Sequence, residues 1–176
     1  MPQERFRLDN QLAVITGGGR GIGLACAEAL GDAGARLVLI ERDPAVGAEG
    51  LAVLTAKGYA TELHEGDVTD SARMNAIADA LADAGTPASI LVNNAGIGAA
   101  GTPSLDVDDA SWQRTMDVNV NGVFFCSRAF GRHMLAAGRG SIVNVGSMSG
   151  TIVNRPQPQC AYNVSKAAVH HMPRSL

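Results

Sequence analysis

A doubly wound α/β fold, a parallel sheet buried between two layers of helices, is the class this sequence predicts, on three observations. Strand-length apolar runs alternate with helical stretches along the whole chain. Runs such as Leu37-Val38-Leu39-Ile40 are almost continuously apolar rather than alternating, as strands covered on both faces are. The residues least suited to a core come just after the runs, at the carboxyl ends of the predicted strands, where sheets of this class hold ligands.

Each element has its local reason. Leu12-Ala13-Val14-Ile15 is a buried-strand run ending at Thr16 and a glycine cluster, and Gly21 to about Gly34 is a helix with Ile22, Ala25, Ala29 and Leu30 as apolar positions. Arg36 to Ile40 is a second strand. Pro44 suits the first turn of a helix that runs to Lys57. A third strand near Ala60 to His64 stops at Gly66-Asp67, and Asp70 caps a helix to about Ala84. Ser89-Ile90-Leu91-Val92 is a fourth strand, ending in Asn93-Asn94-Ala95-Gly96. After a Gly/Pro-rich loop from Gly98 to Pro103, one long helix is expected from about Asp108 to Ala137, then a fifth strand over Ser141 to Val145 and a final helix from about Ala161. Right-handed crossovers set the hand.

Composition narrows the function. The 176 residues suit one domain, expected over 1–176, and 46% apolar with only 18% charged residues argues against disorder. A net charge of −3 provides no nucleic-acid footprint and no polybasic membrane patch. No apolar run approaches a bilayer span, and the charged start, Met1 to Arg7, lacks the core of a secretory signal. Cys26, Cys126 and Cys160 are odd in number and widely spaced, without CxxC or Cys/His pairing, so reduced thiols in the cytoplasm and no metal site are expected.

The densest chemistry lies in Thr16-Gly17-Gly18-Gly19-Arg20-Gly21-Ile22-Gly23, which leaves a strand and opens a helix. Glycines there let backbone N–H groups approach a pyrophosphate at the positive helix end, and Gly23 lets the helix pack closely. Glu41 follows the second strand 18 residues after Gly23, near the spacing of a ribose-binding carboxylate. A carboxylate there accepts from the ribose hydroxyls of NAD and repels the 2′-phosphate of NADP. NAD is therefore the expected cofactor, while Arg20 and Arg42 keep NADP open.

TGxxxGIG, the run Asn93-Asn94-Ala95-Gly96 and Tyr162-Asn163-Val164-Ser165-Lys166, in that order, resemble the short-chain dehydrogenase/reductase family over essentially the whole chain. The resemblance implies a Rossmann-type NAD(P)-binding domain and a catalytic set of Asn119, Ser147, Tyr162 and Lys166. It implies cofactor contacts from Gly17, Arg20, Gly21, Ile22, Gly23, Glu41, Asp67, Val68, Asn94, Ala95 and Gly96, with Tyr162 and Lys166 also at the cofactor. Asp67 would meet the adenine, and Asn119 would hold a water relaying protons to Lys166. Asn121 competes for the asparagine position and Ser149 for the serine.

The chemistry explains these types. Oxidising an alcohol removes a hydroxyl proton as hydride leaves the carbon. A free tyrosine, with pKa about 10, is too weakly acidic to serve as a base at neutral pH. A lysine at i+4 shares its helix face, and the ammonium favours the phenolate. Ser147 would hydrogen-bond the substrate oxygen.

Within the family, the stretch Gly146 to Gln157 is similar to polyol dehydrogenases acting on galactitol, sorbitol and related sugar alcohols. Asn154 and Gln157 would then join Ser147 and Tyr162 in holding extra hydroxyls. The resemblance also implies two further strand–helix units, on the order of 60–75 residues at ~30 each, which this chain lacks. The complete protein is expected to be a homo-oligomer, dimer or tetramer, seamed by the long helix carrying Trp112, Met116, Phe124, Phe125, Phe130 and Met134. Two alternatives stay open: an NADPH-dependent carbonyl reductase like the 3-oxoacyl-carrier-protein reductases, and a non-catalytic nucleotide-binding fragment.

Overall fold

The computed structural model describes residues 6–98, 101–153 and 155–176. Five strands form one parallel sheet: β1 (Leu12–Thr16), β2 (Arg36–Glu41), β3 (Thr61–Glu65), β4 (Ile90–Asn93) and β5 (Ser141–Asn144). Their spatial order is β3-β2-β1-β4-β5, so the order reverses between β1 and β4. Loops leaving these two strands diverge to opposite faces, which opens a crevice at their carboxyl ends.

Alternate residues of the central strands feed two cores. Ala13, Ile15, Leu37 and Leu39 pack with Ala27 of α1 (Gly21–Asp32) and Leu54 of α2 (Pro44–Ala56). Leu12, Val14, Val38 and Ile40 pack on the opposite face with Met74 and Ile77 of α3 (Ser71–Asp83). Phe130 and Met134 of α5 (Gly122–Ala136) join this second core. Each such large side chain removed from water contributes about 1.5–3 kcal/mol.

Aspartate residues cap the starts of three helices. Asp43 accepts from Ala45 N at 3.0 Å, Asp70 from Arg73 N at 2.9 Å, and Asp108, before α4 (Asp109–Met116), from Ser111 N at 2.8 Å. Unlike α2, α3 and α4, α1 starts without a side-chain cap.

The expected single helix over 108–137 is interrupted. Between α4 and α5 the backbone makes a π turn over Asp117–Asn121, and Gly122 N reaches back to Asp117 O. The extra residue in that turn shifts the helical register, so that neighbours Val118 and Asn119 both point inward. The last helix, α6 (Cys160–His171), packs on α4, on the π turn and on a 3₁₀ turn at Met148–Gly150. It ends at His171, and Pro173 sits in a 3₁₀ turn at Met172–Arg174, where it breaks no α-helical hydrogen bond. No helix among the described residues is long and apolar enough to cross a membrane.

Candidate active site

A cleft of about 610 Å³ runs along the carboxyl edge of the sheet. Its walls bring together residues from the carboxyl ends of all five strands and two from α6: Gly17, Arg20, Gly21 and Ile22; Glu41 and Arg42; Asp67 and Val68; Asn94, Ala95 and Gly96; Gly146; and, on the helix, Tyr162 and Lys166.

The glycine loop is held from behind. Gly17 has φ +62°, and Asn94 Nδ2 donates to both Thr16 O and Gly17 O, at 3.0 and 2.9 Å. Thr16 Oγ1 accepts in turn from the backbone N–H groups of Asn94 and Ala95. Gly23 lies behind the wall, and a Cβ on it would stand 2.2 Å from Gly17 O and 2.5 Å from Asn94 Nδ2, so only glycine lets α1 seat there. Asn93, deeper in the sheet, donates to Ser127 Oγ and Asn144 Oδ1 at 2.9 and 2.8 Å.

The carboxylates beside the loop are already engaged. Glu41 accepts from Arg42 N at 3.0 Å and from Gly19 N at 3.4 Å, which carries it to the loop's edge. Asp67 lies 3.6 Å from Arg42 Nη1. Burial alone would raise the Asp67 carboxyl, but two hydrogen bonds from Thr69 and the Arg42 charge outweigh it and hold the pKa below the ordinary value. The Arg20 side chain has no ion-pair partner among the described residues.

At the other end, Tyr162 and Lys166 share one face of α6, with Lys166 Nζ 5.7 Å from the tyrosine ring centroid. Lys166 is only 6% exposed and donates to Val145 O at 2.7 Å. Burial lowers its pKa. No hydrogen bond among the described residues ties down the Tyr162 hydroxyl.

Asn119 sits behind this pair, 1% exposed. Its Oδ1 accepts from Ile97 N at 2.8 Å, and its Nδ2 donates to Ile97 O at 2.9 Å and Ser165 Oγ at 3.0 Å. The side chain is thus a clamp between the loop after β4 and α6, with both amide hydrogens and one lone pair of the oxygen engaged by protein groups. Asn121 turns away, donating to Asp117 Oδ1.

Ser147 caps the 3₁₀ turn, its Oγ accepting from Ser149 N at 3.1 Å. It is half-buried and adjoins the wall through Gly146. Ser149 is buried, and its Oγ accepts from Gln159 Nε2 at 3.2 Å. Gln157 is exposed and outside the wall, while Gln159 lines the cleft and also a neighbouring cavity of about 370 Å³. Asn154 lies outside the described residues. Gln159 was open to sequence reasoning only through its place three residues before Tyr162, just ahead of the helix that carries the tyrosine.

Known proteins resemble this chain in sequence and in fold. Residues 11–176 match the short chain dehydrogenase family. The chain is 66% identical over 174 residues to a galactitol 2-dehydrogenase of Rhizobium johnstonii, covering 99% of this chain and 67% of that protein. It is 52% identical over 174 residues to a galactitol 2-dehydrogenase (L-tagatose-forming) of Cereibacter sphaeroides, covering 97% of this chain and 66% of that one. The crystal structure of gox2181 superposes with a TM-score of 0.96 at 41% identity, over 100% of this chain and 68% of that one. The chain therefore spans about two thirds of the length of these relatives. By motif order, sheet topology and these matches, this chain belongs to the short chain dehydrogenase family.

Proposed function

We propose that the cleft binds NAD and that the complete protein oxidises a secondary hydroxyl of a polyol such as galactitol, with Tyr162 as general base. The observation that carries this reading is the juxtaposition in one cleft of a glycine loop, Glu41 at its edge and the Tyr162–Lys166 pair at its far end.

The residues suit a dinucleotide. The uncapped start of α1 leaves N–H donors for a pyrophosphate, and at Gly21 a Cβ would meet no atom within 4 Å, so the backbone there is bare. Glu41 would accept from the adenosine ribose, and Arg42 is drawn toward Asp67 rather than left free for a 2′-phosphate. Lys166 would reach the second ribose. When bound, the nicotinamide supplies a hydride acceptor.

The protein's own part is proton handling and orientation. The Tyr162 phenolate takes the hydroxyl proton as the carbonyl forms, and the Lys166 ammonium beside the ring favours that phenolate. Ser147 Oγ already accepts the Ser149 N–H, so its own proton is free to donate to the substrate oxygen. Gln159, on the border with the neighbouring cavity, is suited to a further hydroxyl. The galactitol 2-dehydrogenase names of two relatives support the polyol choice. The half-exposed Trp112 and Phe124, at 37% and 38%, support self-association through α4 and α5 in the complete protein, and the free thiols suit the cytoplasm.

Tyr162→Phe tests this. NADH titration followed by cofactor fluorescence should be unchanged, while NAD-dependent oxidation of galactitol should fall at least 100-fold. Turnover that survives the substitution refutes the mechanism.

A further inference from the structure

We propose that His170 is a positioning residue for Ser147, tying the loop after β5 to the helix that carries Tyr162 and Lys166. The inference rests on Ser147 being the donor to the substrate oxygen, and it concerns what holds that donor in place.

The polar groups of Ser147 are almost all engaged. Its C=O accepts from Gly150 N at 2.9 Å and its Oγ from Ser149 N at 3.1 Å, both within its own turn. Its N–H donates at 3.3 Å to Nε2 of His170, a side chain from another element. What remains is the hydroxyl proton, the group the reaction needs. The imidazole also lies against the residue before: a Cβ on Gly146 would stand 2.5 Å from Nε2 and 2.7 Å from Cδ2. A glycine is therefore required at 146 for the ring to seat.

His170 comes four residues after Lys166 and so lies on the same face, one turn further along α6. Lys166 grips Val145 O from one turn, and His170 grips Ser147 N from the next. These two contacts fix the segment leaving β5 against α6, and with it the separation between the Ser147 hydroxyl and Tyr162. Donor placement of this kind matters because a displacement of about 1 Å at a reacting centre can cost on the order of 100-fold in rate.

The geometry also selects a tautomer. An accepting Nε2 carries no proton, so the neutral ring bears it on Nδ1, which lies 3.5 Å from Thr151 Oγ1.

Two readouts test the assignment. In a long-range ¹H–¹⁵N spectrum of the ¹⁵N-labelled chain, at a pH where the ring is neutral, His170 should show the Nδ1–H form. His170→Leu should lower kcat with galactitol about 10-fold or more, leaving NADH affinity within two-fold. His170→Gln, whose Oε1 can accept where Nε2 did, should recover at least half of the wild-type rate. An Nε2–H ring, a Leu variant as fast as wild type, or a Gln variant no better than Leu overturns the proposal. Turnover that survives Tyr162→Phe overturns the underlying reading instead, and the tautomer separates the two failures.

Discussion

Replacing Asn119 by Ala should destabilise the fold by about 3 kcal/mol, because the residue works as a buried clamp. Three hydrogen bonds, of 2.8, 2.9 and 3.0 Å, join it to both backbone groups of Ile97 and to Ser165 Oγ. Ser165 Oγ passes the link on, donating to Tyr162 O at 2.7 Å, so the clamp reaches the turn bearing the tyrosine. Alanine strands the Ile97 N–H and C=O, and each buried group left unpaired costs about 1–3 kcal/mol. Water entering from the cleft, which Ile97 and Val118 line, offsets part of this, so the lower half of the summed range applies. For a chain of this size that is a fall of roughly 6–12 °C in Tm. Asn121→Ala is the matched control. It removes a single bond to Asp117, four residues away on the same helical stretch, worth about 0.2–0.5 kcal/mol. Thermal unfolding followed by circular dichroism compares the two. An Asn119→Ala Tm within 2 °C of the Asn121→Ala value would refute the clamp.

Gly23→Ala and Gly131→Ala should move stability in opposite directions. The first drives a Cβ to 2.2 Å from Gly17 O, which costs about 1–3 kcal/mol despite better helix propensity and should weaken NADH binding at least 10-fold. The second meets nothing nearer than Ile142 Cδ1 at 3.8 Å and should stabilise by about 0.5–1 kcal/mol, both measured by urea unfolding. Lys166→Met should abolish turnover without lowering stability at pH 7, since burial already opposes the ammonium. Because the folded pKa of Lys166 is depressed, the unfolded chain binds more protons between that pKa and about 10.4. Wild-type stability should therefore gain on the Met variant as pH rises through this window, and a difference that stays flat from pH 7 to 10 would contradict the assignment. Glu41→Ala should cut the preference for NADH over NADPH at least 10-fold in paired titrations, and an unchanged ratio would remove Glu41 from cofactor choice.

Much of the architecture was legible because its signals are local. Apolar run length marked the strands, and Pro44 and Asp70 marked helix starts, since a cap or a first-turn proline acts within three residues. The carboxyl-edge position of the glycine loop, Glu41, Asp67 and the Asn94–Gly96 run followed from strand order alone. The π turn was not legible. It adds one residue to a continuing helix, and Asp117-Val118-Asn119-Val120-Asn121 carries no breaker to announce it. Yet that turn aims Asn119 at both backbone groups of Ile97, a contact that no helical periodicity in this stretch announces. Gln157 and Gln159 differ for a similar reason. They are both glutamines in one loop, and only the packing of α6 decides which one lines the cleft.

The sequence by itself determined the parallel α/β class, the glycine loop with its acid 18 residues on, and a tyrosine and lysine on one helix face. These depend on spacing along a chain with known helical and strand periods. The tertiary structure alone decided who holds whom: Asn119 across 22 residues to Ile97 and 46 to Ser165, Ser149 across 10 to Gln159, and Ser147 across 23 to His170. Such contacts form where independently specified elements come to rest against one another, and no periodicity within either element encodes the meeting point.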